Sequence, residues 1–234
     1  MTAAFPEVQG EALERMESAR NYNRWLFERC EPYLGERVLD AGAGIGTFTE
    51  FASHGREVVA LEPDPELVLA LRHRFEGHTN VTVVEGTAED VSGDFDSIIC
   101  LNVLEHIPDD VATLRRFHDL LVAGGRLLLL VPAHPELYGA TDRAVAHERR
   151  YRKQDLRARL ASVGLGVETL RLVNPLGALG WFVSSRLRNR EQVPEGPLLL
   201  YDRLVPALRL LDRVDLPVGL SVWAVARRAY HASP

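Results

Sequence analysis

Short apolar runs recur along the chain, separated by stretches with a helical period. Val38–Asp40, Val58–Glu62, Val81–Glu85, Ser97–Leu101 and Arg126–Val131 read as buried strands, too short for helices and rich in branched side chains. Between the second and third lies PDPELVLALRHRFEG, where Asp64 is placed to cap a helix, Pro65 suits its first turn and Gly77 its end. Between the fourth and fifth lies PDDVATLRRFHDLLVAGG, with acids in the first turn and glycines at the stop. YRKQDLRARLASVG predicts another helix, followed by strands at Val167–Val173 and Ser221–Arg227. This alternation predicts an α/β fold: a Rossmann-like, seven-stranded, mostly parallel sheet with helices on both faces. Such sheets bind ligands beyond the carboxyl ends of their strands, where the strand order reverses. The loops after Asp40, Glu62, Glu85, Leu101 and Val131 are therefore where chemistry is expected.

A single domain over residues 1–234 is expected, made of four parts. Residues 10–35 form a helical cap carrying Tyr22, Trp25 and Phe27, and 36–173 the ligand-binding core. Residues 174–219 form a helical insertion, with helices around Leu176–Arg190 and Leu198–Arg213, and 220–228 the last strand.

Composition narrows the class. With 46% hydrophobic and 26% charged residues, the chain can bury a full core. A net charge of −6 argues against broad binding to nucleic acid. Cys30 and Cys100 stand far apart with no CxxC partner, so neither a disulfide framework nor a zinc site is expected, and Cys100 reads as a small core residue. The start, MTAAFPEVQGEALERM, shows no secretory pattern. No uncharged apolar run approaches the ~18 residues of a spanning helix. The longest, Leu172–Ser185, is interrupted by Asn174, Pro175, Gly177 and Gly180. A cytoplasmic protein without stable membrane insertion is the expectation.

The sharpest signal is VLDAGAGIGTF, residues Val38 to Phe48. Gly42 and Gly44 suit a dinucleotide loop, but Thr47 stands where its third glycine belongs and Gly46 comes one residue early. Asp40 would also repel a pyrophosphate. The conflict disappears if the ligand carries no phosphate and is positively charged beside the loop, as S-adenosylmethionine is. Asp40 can then attract the methionine portion while Gly42 and Gly44 let the backbone approach. Glu62, ending the second strand, is placed to accept both ribose hydroxyls, a role that would suit NAD equally.

At this point the chain resembles the class I S-adenosylmethionine-dependent methyltransferases, from about Arg37 to Val131. The resemblance rests on VLDAGAGIG, the acid of VVALEPD, the EGTAED turn and FDSIICLNVLEHIPDD, in that order. It implies S-adenosylmethionine as cofactor, with Thr87, Ala88 and Glu89 at the adenine and Asn102 and Val103 on the methionine side. Relatives often have Asp where Thr87 stands, so Glu89 or backbone would hold the adenine amino group. The expected cofactor contacts also take in Tyr22, Ala41 and Pro63. Glu105 and His106 look like an acid/base pair, but the same EH is common across unrelated substrates in this group, which favours a structural or methionine-side role.

The acceptor side is expected after the fifth strand, in VPAHPELYGATDRAVAHERRY. His134 leaves that strand closest to the sulfonium. His147, Arg149, Arg150 and Tyr151 reach the mouth only by folding back. The segment is similar to a His-x-Arg-Arg-Tyr segment in a group of bacterial methyltransferase-like sequences, although Arg152 replaces the Ser or Thr expected as the next helix cap. His134 and His147 are the candidate bases, suited to a hydroxyl acceptor near neutral pH. Tyr138, Arg149, Tyr151 and Trp181 are the candidate acceptor contacts, with a structural ion pair the equal alternative for Arg149. No metal is expected, because no His/Cys cluster has ligand spacing.

The insertion can roof the pocket, form a homodimer surface or touch a membrane, and packing is favoured. Arg186, Arg188 and Arg190 flank its apolar stretch and keep a lipid-linked acceptor open. The expected activity is methyl transfer to an oxygen or nitrogen of a small molecule, such as a natural-product or lipid-linked intermediate. The alternatives are a non-catalytic cofactor-binding regulatory domain on the same fold, or an NAD-dependent oxidoreductase, which Thr47 and Asp40 disfavour. A nucleic-acid methyltransferase is disfavoured by the acidic balance and by NVLE in place of an Asn-Pro-Pro-aromatic motif.

Overall fold

A computed structural model describes residues 17–174, 202–205 and 218–230. Seven strands form one sheet: β1 (Arg37–Ala41), β2 (Glu57–Glu62), β3 (Val81–Glu85), β4 (Phe95–Leu101), β5 (Leu121–Pro132), β6 (Leu165–Val173) and β7 (Ser221–Arg228). Their spatial order is β3-β2-β1-β4-β5-β7-β6. β7 runs antiparallel to both neighbours, while the β1–β2, β1–β4, β2–β3 and β4–β5 pairs are parallel.

The described helices are α1 (Arg20–Cys30), α2 (Thr47–Ala52), α3 (Pro65–Arg74), α4 (Asp110–Leu120), α5 (Ala140–Ala144) and α6 (Lys153–Ser162). Asp64 caps α3 as its sequence suggests, accepting from the backbone N–H groups of Glu66 and Leu67. Arg152 at the start of α6 makes no side-chain cap, in keeping with its departure from Ser or Thr.

Buried strand residues alternate between two packed layers. Ile98, Cys100, Leu127 and Leu129 pack on one face with Leu114 and Phe117 of α4 and Leu156 of α6. Ile99, Leu101, Leu128 and Leu130 pack on the other with Trp25 and Leu26 of α1. The near-continuous apolar strands of the sequence are the consequence of being covered on both faces.

One boundary differs from the sequence pattern. Gly124 and Gly125 read as the stop of α4, yet α4 ends at Leu120 and both glycines lie inside β5. Leu121 is already extended and pairs with Phe95. Gly124 has φ +82°, and a Cβ there would run into the Tyr230 ring, so the glycine serves a close approach of the chain's end to the strand.

The expected insertion, including Trp181, lies outside the described residues except for Asp202–Val205, which are helical. Asp202 accepts from the Tyr22 backbone N–H at 2.9 Å and from Asn21 Nδ2 at 3.0 Å, tying the cap to this helix. Among the described residues no helix is long and apolar enough to cross a membrane.

The strand order reverses between β1 and β4. The loops that leave these two neighbouring strands, residues 42–46 and 102–106, therefore meet at one end of the sheet.

Candidate active site

The β1 loop is built around a left-handed turn. Gly42, Gly44 and Gly46 all have positive φ. At Gly42 (φ +74°) a Cβ would lie 2.4 Å from Val103 Cγ2, so only glycine lets the two loops close on each other. The N–H groups of Gly42 and Ala43 donate to the Leu61 carbonyl at 2.8 and 2.9 Å, fastening the loop to β2.

Two carboxylates sit under this loop, Asp40 and Glu62, each 3% exposed. Asp40 accepts from the Thr49 hydroxyl at 2.6 Å. Glu62 accepts from the Gly44 N–H at 2.8 Å and the Asp64 N–H at 3.1 Å, so it organises the turn as well as ending its strand. Burial pushes Asp40 up to about 6, with the neighbouring Glu62 charge adding to the rise. Glu62 is raised too, chiefly by burial, against its two backbone hydrogen bonds. Two buried acids, both raised chiefly by burial, are a poor host for a phosphate and a good one for a cationic ligand bearing hydroxyl groups.

The other expected cofactor residues surround the same sheet end. Ala41 is buried at the end of β1, and Pro63 follows Glu62 on the surface. After β3, Thr87 turns its N–H and hydroxyl to Asp90 Oδ2, Ala88 is buried, and Glu89 is exposed with Arg116 4.0 Å away. Asn102 adopts φ +55° and is exposed, next to Val103. Tyr22 is buried in α1 with its ring against Trp25.

The segment after β5 does fold back. The Tyr151 N–H donates to the Pro132 carbonyl and the His134 N–H to the Tyr151 carbonyl, which pins both ends of the excursion together. The Glu148 N–H then donates to the Glu105 carbonyl at 2.8 Å, laying the returning strand of chain along the loop after β4. This brings His147 beside Glu105 and His106. Its Nδ1 lies 2.8 Å from Asp142 Oδ1 and its Nε2 3.8 Å from Glu105 Oε1. The His106 and His147 rings stand edge to face at 4.8 Å.

Glu105 is 0% exposed, and neither of its carboxyl oxygens has a hydrogen-bond partner among the described residues. Burial pushes its carboxyl up to about 8. Burial and the nearby His147 push His106 down to about 4. Asp142 resists its own burial: hydrogen bonds from His147 and the Arg150 charge hold it below the ordinary carboxylate range. Glu105, His106 and His147 each offer one ligand atom, all within 4.8 Å of one another.

The structure separates the other candidates from this cluster. His134 (φ +62°) turns its ring nitrogen to Glu136 at 3.4 Å. Arg149 donates to the carbonyls of Ile107 and Pro108, fixing the loop before α4 rather than presenting its fork to solvent. Tyr151 is 2% exposed and donates its hydroxyl to Asp110 Oδ2 at 2.9 Å, which makes it a core side chain. Burial and the Asp110 charge raise that phenol. Tyr138 donates to the His147 carbonyl at 2.7 Å and so supports the histidine's backbone. Sequence reasoning placed Arg150 in the returning segment and Asp142 as a candidate anchor for it, without a site role for either, and passed over Asp110. Arg150 is buried and reaches Asp142 Oδ1 at 2.8 Å and the Ala133 carbonyl at 3.1 Å. The spacing Asp142-x₄-His147 carried a faint signal, a carboxylate one turn from a histidine in a segment already suspected.

Residues 39–127 match a family model described as a methyltransferase domain. The ubiquinone biosynthesis O-methyltransferase of Xanthomonas axonopodis pv. citri (strain 306) is 41% identical over 111 residues, which cover 45% of this chain and 46% of that protein. The chain thus spans about half the length of the curated relatives it matches. A phosphoethanolamine N-methyltransferase of Haemonchus contortus, solved with S-adenosyl-L-methionine, superposes with a TM-score of 0.62 at 19% identity over 90% of this chain and 53% of that one. A 1,6-didemethyltoxoflavin N1-methyltransferase of Burkholderia thailandensis, solved with its acceptor and S-adenosylhomocysteine, superposes with a TM-score of 0.54 at 19% identity over 91% and 78%.

Proposed function

We propose that this chain is a class I S-adenosylmethionine-dependent methyltransferase, a reading supported by the methyltransferase-domain match over its core, and that it methylates a hydroxyl oxygen of a small organic molecule. The observation that carries the reading is the pair of buried carboxylates, Asp40 and Glu62, under a glycine turn, with no cation paired to either among the described residues. They would hold the cofactor's methionine end and ribose, with Gly42 and Gly44 giving backbone access. Thr87, Ala88 and Glu89 would meet the adenine, and Asn102 and Val103 the methionine side. When bound, S-adenosylmethionine supplies an electrophilic methyl group on a sulfonium that leaves as a neutral thioether.

The acceptor would enter where the loop after β4 meets the returning segment. His147 is the chain's general base in this reading. Asp142 fixes its tautomer and ring, leaving Nε2 directed toward Glu105 and able to take a hydroxyl proton. An oxygen acceptor is supported by this base and by the O-methyltransferase relative. A nitrogen acceptor would need little beyond alignment. Arg149 and Tyr151 are not assigned to the acceptor, because their polar atoms are spent on the chain itself.

Calorimetric titration with S-adenosylmethionine, S-adenosylhomocysteine and NAD tests the cofactor. Tighter binding of NAD would end the methyltransferase reading. A panel of phenolic and aliphatic hydroxyl acceptors against matched amines tests the chemistry, and turnover confined to the amines would refute the oxygen assignment.

A further inference from the structure

We infer that Glu105, His106 and His147 form a binding site for one divalent transition-metal ion of the zinc or manganese kind. The donor set is one carboxylate and two imidazoles whose ligand atoms lie within 4.8 Å of one another. They come from two segments that only the fold brings together, so no local ligand spacing announces them.

The site is built, not merely crowded. A carboxylate with both oxygens buried and unmatched costs several kcal/mol unless a charge or hydrogen-bond donors answer it. Among the described residues no side-chain donor or cation lies in hydrogen-bond range of Glu105, since His147 Nε2 at 3.8 Å is beyond it, and its own N–H and the more distant Arg150 charge offset the burial only in part. Arg150, the nearby cation, is turned to Asp142 and the Ala133 carbonyl.

The imidazoles are oriented as metal ligands are. His147 turns Nδ1 to Asp142 at 2.8 Å, and His106 turns Nδ1 to the Ala146 carbonyl at 3.3 Å. In both rings Nε2 is then the nitrogen for a cation, and an outer carboxylate or carbonyl fixes the tautomer. Their edge-to-face packing at 4.8 Å suits two ligands on adjacent corners of one ion. Two imidazoles and one carboxylate favour zinc, manganese or iron over calcium. Three protein ligands leave positions open, the pattern of a catalytic rather than a structural site.

The cation's role rests on the methyl-transfer reading. It would hold the acceptor oxygen and lower its pKa, and with the cation bound His147 Nε2 would serve as a ligand in place of the general base. Metal binding itself does not depend on that reading.

The test uses tag-free protein stripped with a chelator and then titrated with zinc(II) or cobalt(II), with no methyl donor present. Wild type should take up about one equivalent, with a cobalt d–d spectrum and a rise in melting temperature. Glu105→Gln, His106→Ala and His147→Ala should each lose at least tenfold in affinity, and Asp142→Asn roughly 10–100-fold. His134→Ala should bind as wild type does. If a variant fails to fold, the isosteric Glu105→Gln and the cobalt spectrum of the wild type keep the question open to decision. No stoichiometric uptake by wild type, or equal uptake by all three ligand variants, would overturn the site. Either result would leave cofactor binding, and hence the methyltransferase reading, untouched.

Discussion

His147 Nδ1 lies 2.8 Å from Asp142 Oδ1, and the same oxygen receives Arg150 Nε at 2.8 Å. One buried carboxylate thus orients the histidine and neutralises the arginine beneath it. Asp142→Asn should keep the shape but lose the charge, lowering turnover by roughly 10–100-fold with cofactor affinity unchanged. Both variants should also destabilise the fold, Asp142→Ala by about 3–5 kcal/mol, because the buried Arg150 charge loses the carboxylate that faces it. Turnover, cofactor titration and chemical denaturation of the two variants check this, and unchanged stability in both would mean the charge on Arg150 is answered elsewhere.

Glu62 is more than a ribose contact, because its carboxylate accepts from Gly44 and Asp64 and so holds the turn. Glu62→Ala should weaken cofactor binding by about 1.5–3 kcal/mol or more, with the fold retained. Calorimetry with S-adenosylhomocysteine reads the loss, and normal affinity would displace the ribose from this strand end.

Asp40 predicts a pH dependence with a definite sign. Burial lifts its carboxyl from the ordinary 3.8 to about 6 in the folded chain, so the protonated form favours the folded state. Its contribution to stability is full below the unfolded value and is lost as pH rises through about 6. Asp40→Asn should therefore stabilise the cofactor-free protein above that pH, on the order of 1–3 kcal/mol, while Thr49 can still donate to the new amide oxygen. A cationic cofactor needs the ionised form, so wild-type affinity should fall as pH drops below about 6, and the variant should bind weakly with a flatter profile. Melting temperature and affinity across pH 5–8 (about the range that brackets this titration) measure both. A variant no more stable than wild type would contradict the burial argument.

Gly42→Ala should be costly for two separate reasons. Its φ of +74° strains any residue with a Cβ, and that atom would lie 2.4 Å from Val103 Cγ2. A stability loss of about 1–3 kcal/mol is expected, together with weaker cofactor binding. Gly42→Ala with Val103→Ala should recover part of the packing cost but not the strain, a split that denaturation of the single and double variants resolves.

The parts of this molecule that follow local rules were readable from the chain. Strand runs such as Arg126–Val131, the Asp64 cap and the Asp40–Gly42–Gly44 turn are set by near neighbours, and the structure has them in place. The start of β5 was not readable, because Gly124 and Gly125 are helix-stop residues by local preference, and the pairing of Leu121 with Phe95 and the close approach of Tyr230 override it. The same limit explains the cluster. Glu105 and His106 are adjacent in sequence, but their third member, His147, arrives through backbone pairing of Glu148 with Glu105 and of Tyr151 with Pro132. Tyr151 and Arg149 carried polar groups that looked available for a substrate, and their partners in the 107–110 segment are equally remote in sequence.

By chain position His134 was the nearer candidate and His147 depended on the loop folding back, and the structure brings His147 beside Glu105 and leaves His134 at Glu136. His147 has a side chain 12% exposed, is oriented by Asp142 and faces Glu105. His134 has a side chain 29% exposed and pairs with the surface residue Glu136. His147→Ala should lower turnover by roughly 10²–10⁴-fold with cofactor affinity unchanged, since it removes the general base that takes the acceptor's proton. His134→Ala should stay within about threefold of wild type, a change below ~1 kcal/mol in barrier. An amine acceptor would shrink the His147 loss and move part of it into the acceptor's KM, because alignment then supplies most of the rate. Steady-state kinetics of both variants with a hydroxyl and an amine acceptor distinguish these cases. A large loss in His134→Ala with full activity in His147→Ala would place the acceptor on the β5 side of the loop and reverse the assignment.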